Sequence, residues 1–194
     1  MVEKIDFKKQ CDSLKDFGFE FNSKIESFSF ANPADLLERS FKYFCGSYKK
    51  IKEYDEVVKW MENTNHKGLF LYGNVGRGKT VIACKVLPVL FSHFHNRILT
   101  MAEGKFLNEN VEEVFRQKLV VIDDIGLESI RVNYGEKKMV FSEVVDQAEK
   151  TGKLLIVTTN LTLEELTAKY GERTIDRLKA ITTRVLFKGK SMRR

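Results

Sequence analysis

Eight consecutive residues, Gly73-Asn74-Val75-Gly76-Arg77-Gly78-Lys79-Thr80, carry the spacing GxxxxGKT. Glycines at these positions let the backbone curl until successive N–H groups face one point, which makes a cradle for phosphate oxygens. The segment follows a short apolar run, Gly68 to Tyr72 (GLFLY), and precedes a helical pattern. It therefore joins a buried strand to a helix N-terminus, whose dipole favours anions. In that setting Lys79 reaches the β- and γ-phosphates of ATP and the Thr80 hydroxyl is a magnesium ligand, while Gly73, Asn74, Val75, Gly76, Arg77 and Gly78 wrap the phosphates. The plainer alternative is a glycine-rich turn without a ligand, and the strand–loop–helix context argues against it.

Asp123 and Asp124 follow the apolar run Leu119 to Ile122 (LVVI). Two carboxylates at the end of a buried strand are costly unless a cation or hydrogen bonds meet them. Beside a phosphate loop that cation is magnesium, held by Asp123 together with Thr80. Asp124 then stands where it can orient the attacking water, with one methylene less reach than glutamate. A third polar strand end, Thr158-Thr159-Asn160, follows Leu154 to Val157 (LLIV). Asn160 either touches the γ-phosphate or the water, or simply terminates the strand.

These groups need a scaffold. Apolar runs at 68–72, 97–100, 119–122, 154–157 and 183–187 alternate with helical patterns, which implies a parallel sheet covered on both faces. Asn32-Pro33 predicts a helix start, with Asn32 as cap. Leu36, Leu37, Phe41 and Phe44 recur at helical spacing, and Gly46 ends that helix. A second helix carries Ile51, Tyr54, Val57, Val58 and Met61, and both stripes read as core-facing. Val81 to Phe91 is helical with a bend at Pro88, and Met139 to Glu149 is amphipathic. Thr162 and Glu165 form a capping box for a helix closed by Gly171. Residues 1–24 are polar with scattered aromatics, Phe7, Phe17, Phe19 and Phe21, and suit a short helix or a docking arm.

Composition excludes other classes. The chain is 194 residues long, 43% hydrophobic and 31% charged, enough for one domain with a full core. It has no apolar run of membrane-spanning length and begins with charged residues where a signal peptide would be apolar, which places it in the cytoplasm. Cys11, Cys45 and Cys84 match no zinc or disulfide spacing and read as free thiols. The net charge of +6 is concentrated: from Arg173 to Arg194 there are eight basic residues and one acid, Asp176, which reads either as a solvated basic tail or, as the motifs favour, as a surface aimed at the phosphate of a nucleotide or nucleic acid.

The ordered set SFSF, GNVGRGKT, LVVIDDIG, Tyr134 to Glu136 (YGE), IVTTN, KYGERTIDRL and GKSMR resembles the bacterial DnaC/DnaI helicase loaders and the related IstB-type transposition helper ATPases. The resemblance covers Phe28 to Arg194 and implies an α/β AAA+ P-loop NTPase with a five-stranded parallel sheet in the order 5-1-4-3-2. It implies no helical lid domain. It makes Asn160 look like the sensor-1 residue, Arg177 like an arginine finger entering a neighbouring subunit, and Arg193 like the sensor-2 arginine. Residues 1–27 become a short N-terminal arm and 28–194 the ATPase domain. Such an arm is shorter than a separate partner-binding domain. Met101 to Lys118 leaves room for one helix, 104–117, where the family carries an extra helical element used against single-stranded DNA.

The expectation is a slow ATPase, acting with Mg²⁺ in an ATP-dependent homo-oligomer, that loads or remodels a replicative helicase or a transposase and contacts single-stranded DNA. A nucleotide-gated adaptor with little hydrolysis is a second reading. A small-molecule kinase is a third, but no segment suits the arginine-rich lid it would need.

Overall fold

The centre of the molecule is a parallel sheet whose three middle strands are almost unbroken apolar runs. A computed structural model describes residues 5–18, 24–126, 131–133 and 136–192. Its sheet strands are β1 (Gly68–Gly73), β2 (Thr100–Glu103), β3 (Leu119–Asp123), β6 (Leu154–Thr158) and β7 (Thr182–Phe187). They lie in the order β2-β3-β6-β1-β7, every pairing parallel. Counting these five strands alone, that is 5-1-4-3-2 read from the opposite edge. β1, β3 and β6 are central, and Leu69, Phe70, Leu71, Val120, Val121, Ile122, Leu155, Ile156 and Val157 are fully buried, as a sheet covered on both faces requires.

One set of helices comprises α2 (Pro33–Cys45), α3 (Lys52–Glu62) and a long segment that starts as α4 (Lys79–Val81), passes through a π-helical turn (Ile82–Val86) and continues as α5 (Leu87–His95). Where a bend was expected at Pro88, the helix carries this π-helical turn. Proline cannot donate to the carbonyl four residues back, and the helix widens immediately before it. The other set comprises α6 (Val111–Arg116), α7 (Val140–Thr151), α8 (Leu163–Tyr170) and α9 (Glu172–Ile181). On α7, Val140, Phe141, Val144, Val145 and Ala148 are buried, the stripe read from the sequence. The capping box of Thr162 and Glu165 is present at the start of α8.

Several expectations needed correction. The second strand begins at Thr100, not Arg97: Arg97 instead pairs with Glu26, and Ile98 is 85% exposed. No single helix fills 104–117. A 3-10 turn (Gly104–Phe106) and the short α6 share it, and Asn110 separates them with non-helical backbone. Asn32 precedes α2 in a left-handed conformation, and its side chain makes no capping bond. A hairpin of β4 (Arg131–Asn133) and β5 (Glu136–Lys138) follows β3 and was not anticipated.

Helix α1 (Phe7–Lys15) buries none of its residues, whereas Ile25, Phe28 and Phe30 join the core. Phe28 and Phe30 pack edge-on against Phe91 and His95, which explains the alternating SFSF pattern. Phe19, Phe21, Tyr134 and Arg193 lie outside the described residues. Among the described residues no helix follows β7, and none is long and apolar enough to cross a membrane.

Candidate functional site

The phosphate loop leaves the C-terminal end of β1, and its curl is visible in the backbone. Gly73, Gly76 and Gly78 all have positive φ. Gly78 is constrained twice over: at φ +91°, a methyl group there would also sit 2.6 Å from the Tyr54 hydroxyl and 2.9 Å from the Phe41 ring. Helices α2 and α3 therefore fix the loop from behind. The Tyr54 hydroxyl donates to Arg77 O at 3.2 Å, and burial raises its pKa.

Lys79 is 6% exposed, and its ammonium donates to Gly73 O (2.8 Å), Asn74 O (2.8 Å) and Asn160 Oδ1 (2.9 Å). The Asn160 amide nitrogen donates in turn to Asp124 Oδ1 at 2.8 Å. One asparagine thus bridges the phosphate-loop lysine and the second carboxylate. β6 lies between β1 and β3 and ends there, which makes this junction possible.

The first carboxylate faces hydroxyls. Thr80 Oγ1 and Thr158 Oγ1 both donate to Asp123 Oδ1, at 3.1 and 2.5 Å. Thr158 Oγ1 also accepts from Asp124 N at 2.9 Å. Asp124 itself has φ +57°, a left-handed conformation that aspartate tolerates better than most residues. Burial, then the charge of Asp123, raises the Asp124 carboxyl above its ordinary range, while Lys79 and Asn160 pull it back. Thr80 and Asp123 form an all-oxygen donor pair. That suits magnesium, which takes one or two protein oxygens and keeps several waters.

The structure brings Gly73 to Thr80, Asp123, Asp124 and Asn160 to one end of the sheet. Two arginines behave differently from the rest. The Arg77 guanidinium turns away from the cradle towards Glu53, at 2.8 Å, so this residue can offer phosphate only its backbone N–H. Arg177, on α9, is gripped by two carboxylates of α7: it pairs with Asp146 and, through Nε, with Glu149 at 3.1 Å.

Other residues of the site were not singled out from the sequence. Thr158 is one; the register that pairs Ile122 with Val157 sets it beside Asp123 at the next position, a neighbourhood that the sequence does not display. Cys84, one helical turn after Thr80, donates its thiol to Asp123. Burial and that carboxylate push the thiol up to about 12, so it is a neutral donor at ordinary pH. Phe41 and Tyr54 belong to stripes read as core, yet they also line the cleft beside the loop. The cleft has a volume of about 550 Å³, and Cys45, Ser47, Lys49, Val75 and Met192 complete its rim.

A parallel sheet in AAA+ strand order, with a GxxxxGKT loop after β1 and acidic and amide strand ends facing that loop, defines a P-loop nucleotide-binding protein of the AAA+ class. The family model for the IstB-like ATP binding protein matches residues 19–194, and the chain belongs to that family. No curated protein matches it. Among solved structures it is similar to DnaI, at 15% identity and a TM-score of 0.58 over 82% of this chain and 96% of that one. It is also similar to a putative primosome component from Streptococcus pyogenes serotype M3 (17%, 0.54, 90% and 88%) and to the DnaC helicase loader (20%, 0.51, 81% and 89%). At these identities the likeness establishes a common fold.

Proposed function

We propose that this protein hydrolyses ATP with Mg²⁺, assembles with copies of itself when ATP is bound, and uses that cycle to load or remodel a DNA-associated partner. The observation that carries the proposal is the pair of hydrogen bonds at Asn160, which accepts from Lys79 on one side and donates to Asp124 on the other. A change at the γ-phosphate would be felt at once by the group that grips it and the group that orients water.

Lys79 and the loop N–H groups bind the phosphates. Thr80 and Asp123 would hold magnesium, which neutralises charge on the β- and γ-oxygens. Asp124 accepts a proton from water as the water oxygen bonds to the γ-phosphorus and the bond to the β-phosphate oxygen breaks. A carboxyl raised above its ordinary range is a better base for this than an unperturbed one. Arg193 would contact the γ-phosphate of its own subunit. Arg177, paired with Asp146 and Glu149 of its own chain, would serve a neighbour's site once released from them.

The partner we favour is a replicative helicase, because the DnaC helicase loader shares the fold. The IstB-like family favours a transposase as the second reading. Single-stranded DNA is a further ligand. Phe106 is 42% exposed with Lys105 over its ring at 4.5 Å, a stacking surface with a cation on it. We place the activity in the cytoplasm, with residues 1–27 as an arm and 28–194 as the ATPase domain. The test is ATP turnover and sedimentation across a range of protein concentrations, with and without single-stranded DNA. Assembly and turnover that rise together with ATP support the proposal. Assembly without turnover would favour a nucleotide-gated adaptor instead.

A further inference from the structure

The outer side of the phosphate loop is covered. The chain leaving β7 folds back across it as a strap, residues 188–192. Asn74 N donates to Phe187 O and Asn74 Nδ2 to Gly189 O, both at 2.8 Å, and Met192 N donates to Gly76 O at 2.9 Å. A methyl group on Gly76, at φ +71°, would sit 2.1 Å from Ser191 Oγ. The strap's side chains from Lys188 to Ser191 are exposed, and Met192 packs half-buried against the core, so these polar contacts and that one apolar contact hold it.

Glu53 on α3 joins the two segments. Its Oε1 accepts from Arg77 Nη2 at 2.8 Å and from Lys188 N at 2.9 Å, and Arg77 Nη1 donates to Lys190 O at 3.3 Å. The Glu53 and Arg77 side chains are each 12% exposed, the most enclosed ion pair among the described residues. Burial alone would raise the Glu53 carboxyl. Hydrogen bonds from its own backbone, Arg77 and Lys188 outweigh burial and hold the carboxyl below its ordinary range. One anionic oxygen thus ties a helix, the phosphate loop and the strap. Breaking such a pair leaves a buried charge unmet.

We propose that Glu53 is the positioning residue that couples nucleotide binding at the phosphate loop to the strap after β7. Phosphate on the N–H groups of Gly76 to Lys79 fixes the loop in the conformation whose outer surface presents Gly76 O to Met192 and the Arg77 guanidinium to Glu53. The strap is held as a consequence. In sequence it runs directly into Arg193. This coupling rests on the nucleotide reading of the loop.

The experiment is hydrogen exchange at the Lys188 and Met192 amides, together with ATP affinity by calorimetry, in wild type, Glu53→Ala, Glu53→Gln and Val57→Ala. Val57 is fully buried on the same helix, so its truncation controls for a general loss of stability. In wild type, ATP with Mg²⁺ slows exchange at both amides. Glu53→Ala removes that slowing and weakens ATP by about tenfold, the worth of one charge-assisted hydrogen bond. Glu53→Gln, which keeps a neutral acceptor, falls between. Val57→Ala melts earlier yet keeps the nucleotide-linked slowing. Slowing in Glu53→Ala equal to that in Val57→Ala would overturn the coupling alone. Absence of ATP binding in wild type would overturn the nucleotide reading and the coupling with it.

Discussion

Replacing Asp124 with asparagine should stabilise the nucleotide-free protein while slowing hydrolysis. The substitution is nearly isosteric and keeps an oxygen for the Asn160 amide, and asparagine tolerates the φ of +57° as well as aspartate does. What it removes is a charge beside Asp123. Adjacent Cα atoms are about 3.8 Å apart, so the carboxylates lie roughly 6 Å apart, and at an effective dielectric of about 20 they repel by about 3 kcal/mol. Lys79 and Asn160 offset part of this. A net gain of about 1 kcal/mol remains, or roughly 2–4 °C in melting temperature for a chain of this length. The sign with pH follows from the raised carboxyl. Above the ordinary carboxylate range the folded protein holds this proton more tightly than the unfolded chain does, so wild type loses stability as pH rises. The advantage of Asp124→Asn should therefore be full at about pH 7 and shrink at about pH 4.5. Single-turnover hydrolysis of saturating ATP should fall by roughly 10² to 10⁴, the worth of a positioned base, with ATP affinity kept. Calorimetric melting at the two pH values and rapid-quench hydrolysis measure both effects. A lower melting temperature at both pH values, or unchanged hydrolysis, would refute the repulsion and the base assignment respectively.

Lys79→Ala should fold, because its ammonium reaches loop carbonyls and Asn160 rather than apolar core side chains, but should bind ATP at least about tenfold more weakly by calorimetry. Thr158→Val keeps the shape of the strand end and deletes both hydroxyl bonds to the acidic pair. It should raise the magnesium concentration needed for half-maximal turnover by about tenfold, read from a metal titration. Lys153 is 1% exposed, and its ammonium caps α6 by donating to Val114 O at 2.8 Å, Phe115 O at 3.3 Å and Gln117 O. Burial, then repulsion from Lys118, lowers it to about 8. Between that value and the ordinary lysine range the unfolded chain holds the proton and the folded one does not, so wild-type stability relative to Lys153→Met should rise with pH there, measured by urea unfolding. A difference flat with pH would refute it.

The central sheet could be read directly, because β1, β3 and β6 are buried on both faces and their sequences are apolar without interruption. Their order came from the family resemblance, since periodicity does not say which strands are neighbours. The edge strand was misplaced by three residues for a physical reason. β2 pairs on one side only, so exposed Ile98 looked like part of a strand it does not join. At the site, residues set by spacing along the chain were legible: the loop, Asp123, Asp124 and Asn160. Glu53, Thr158 and Cys84 act through contacts set by register or helix packing, and Glu53 meets Lys188 from 135 positions away. No local pattern marks such a pair.

The most direct test of an ATP site completed between subunits is a mixture of two inactive variants. Arg177→Ala should bind ATP normally and hydrolyse it roughly 10³-fold or more slowly, as loss of an arginine supplied across an interface implies. Lys79→Ala should bind ATP weakly and turn it over negligibly on its own. Combined in equal amounts, the two form interfaces in which an intact phosphate loop faces an intact Arg177. Turnover by the mixture should then recover well above the sum of the separate rates and rise faster than linearly with concentration. A mixture no faster than that sum, in a wild type whose turnover is strictly proportional to concentration, would mean that Arg177 serves only its ion pairs with Asp146 and Glu149.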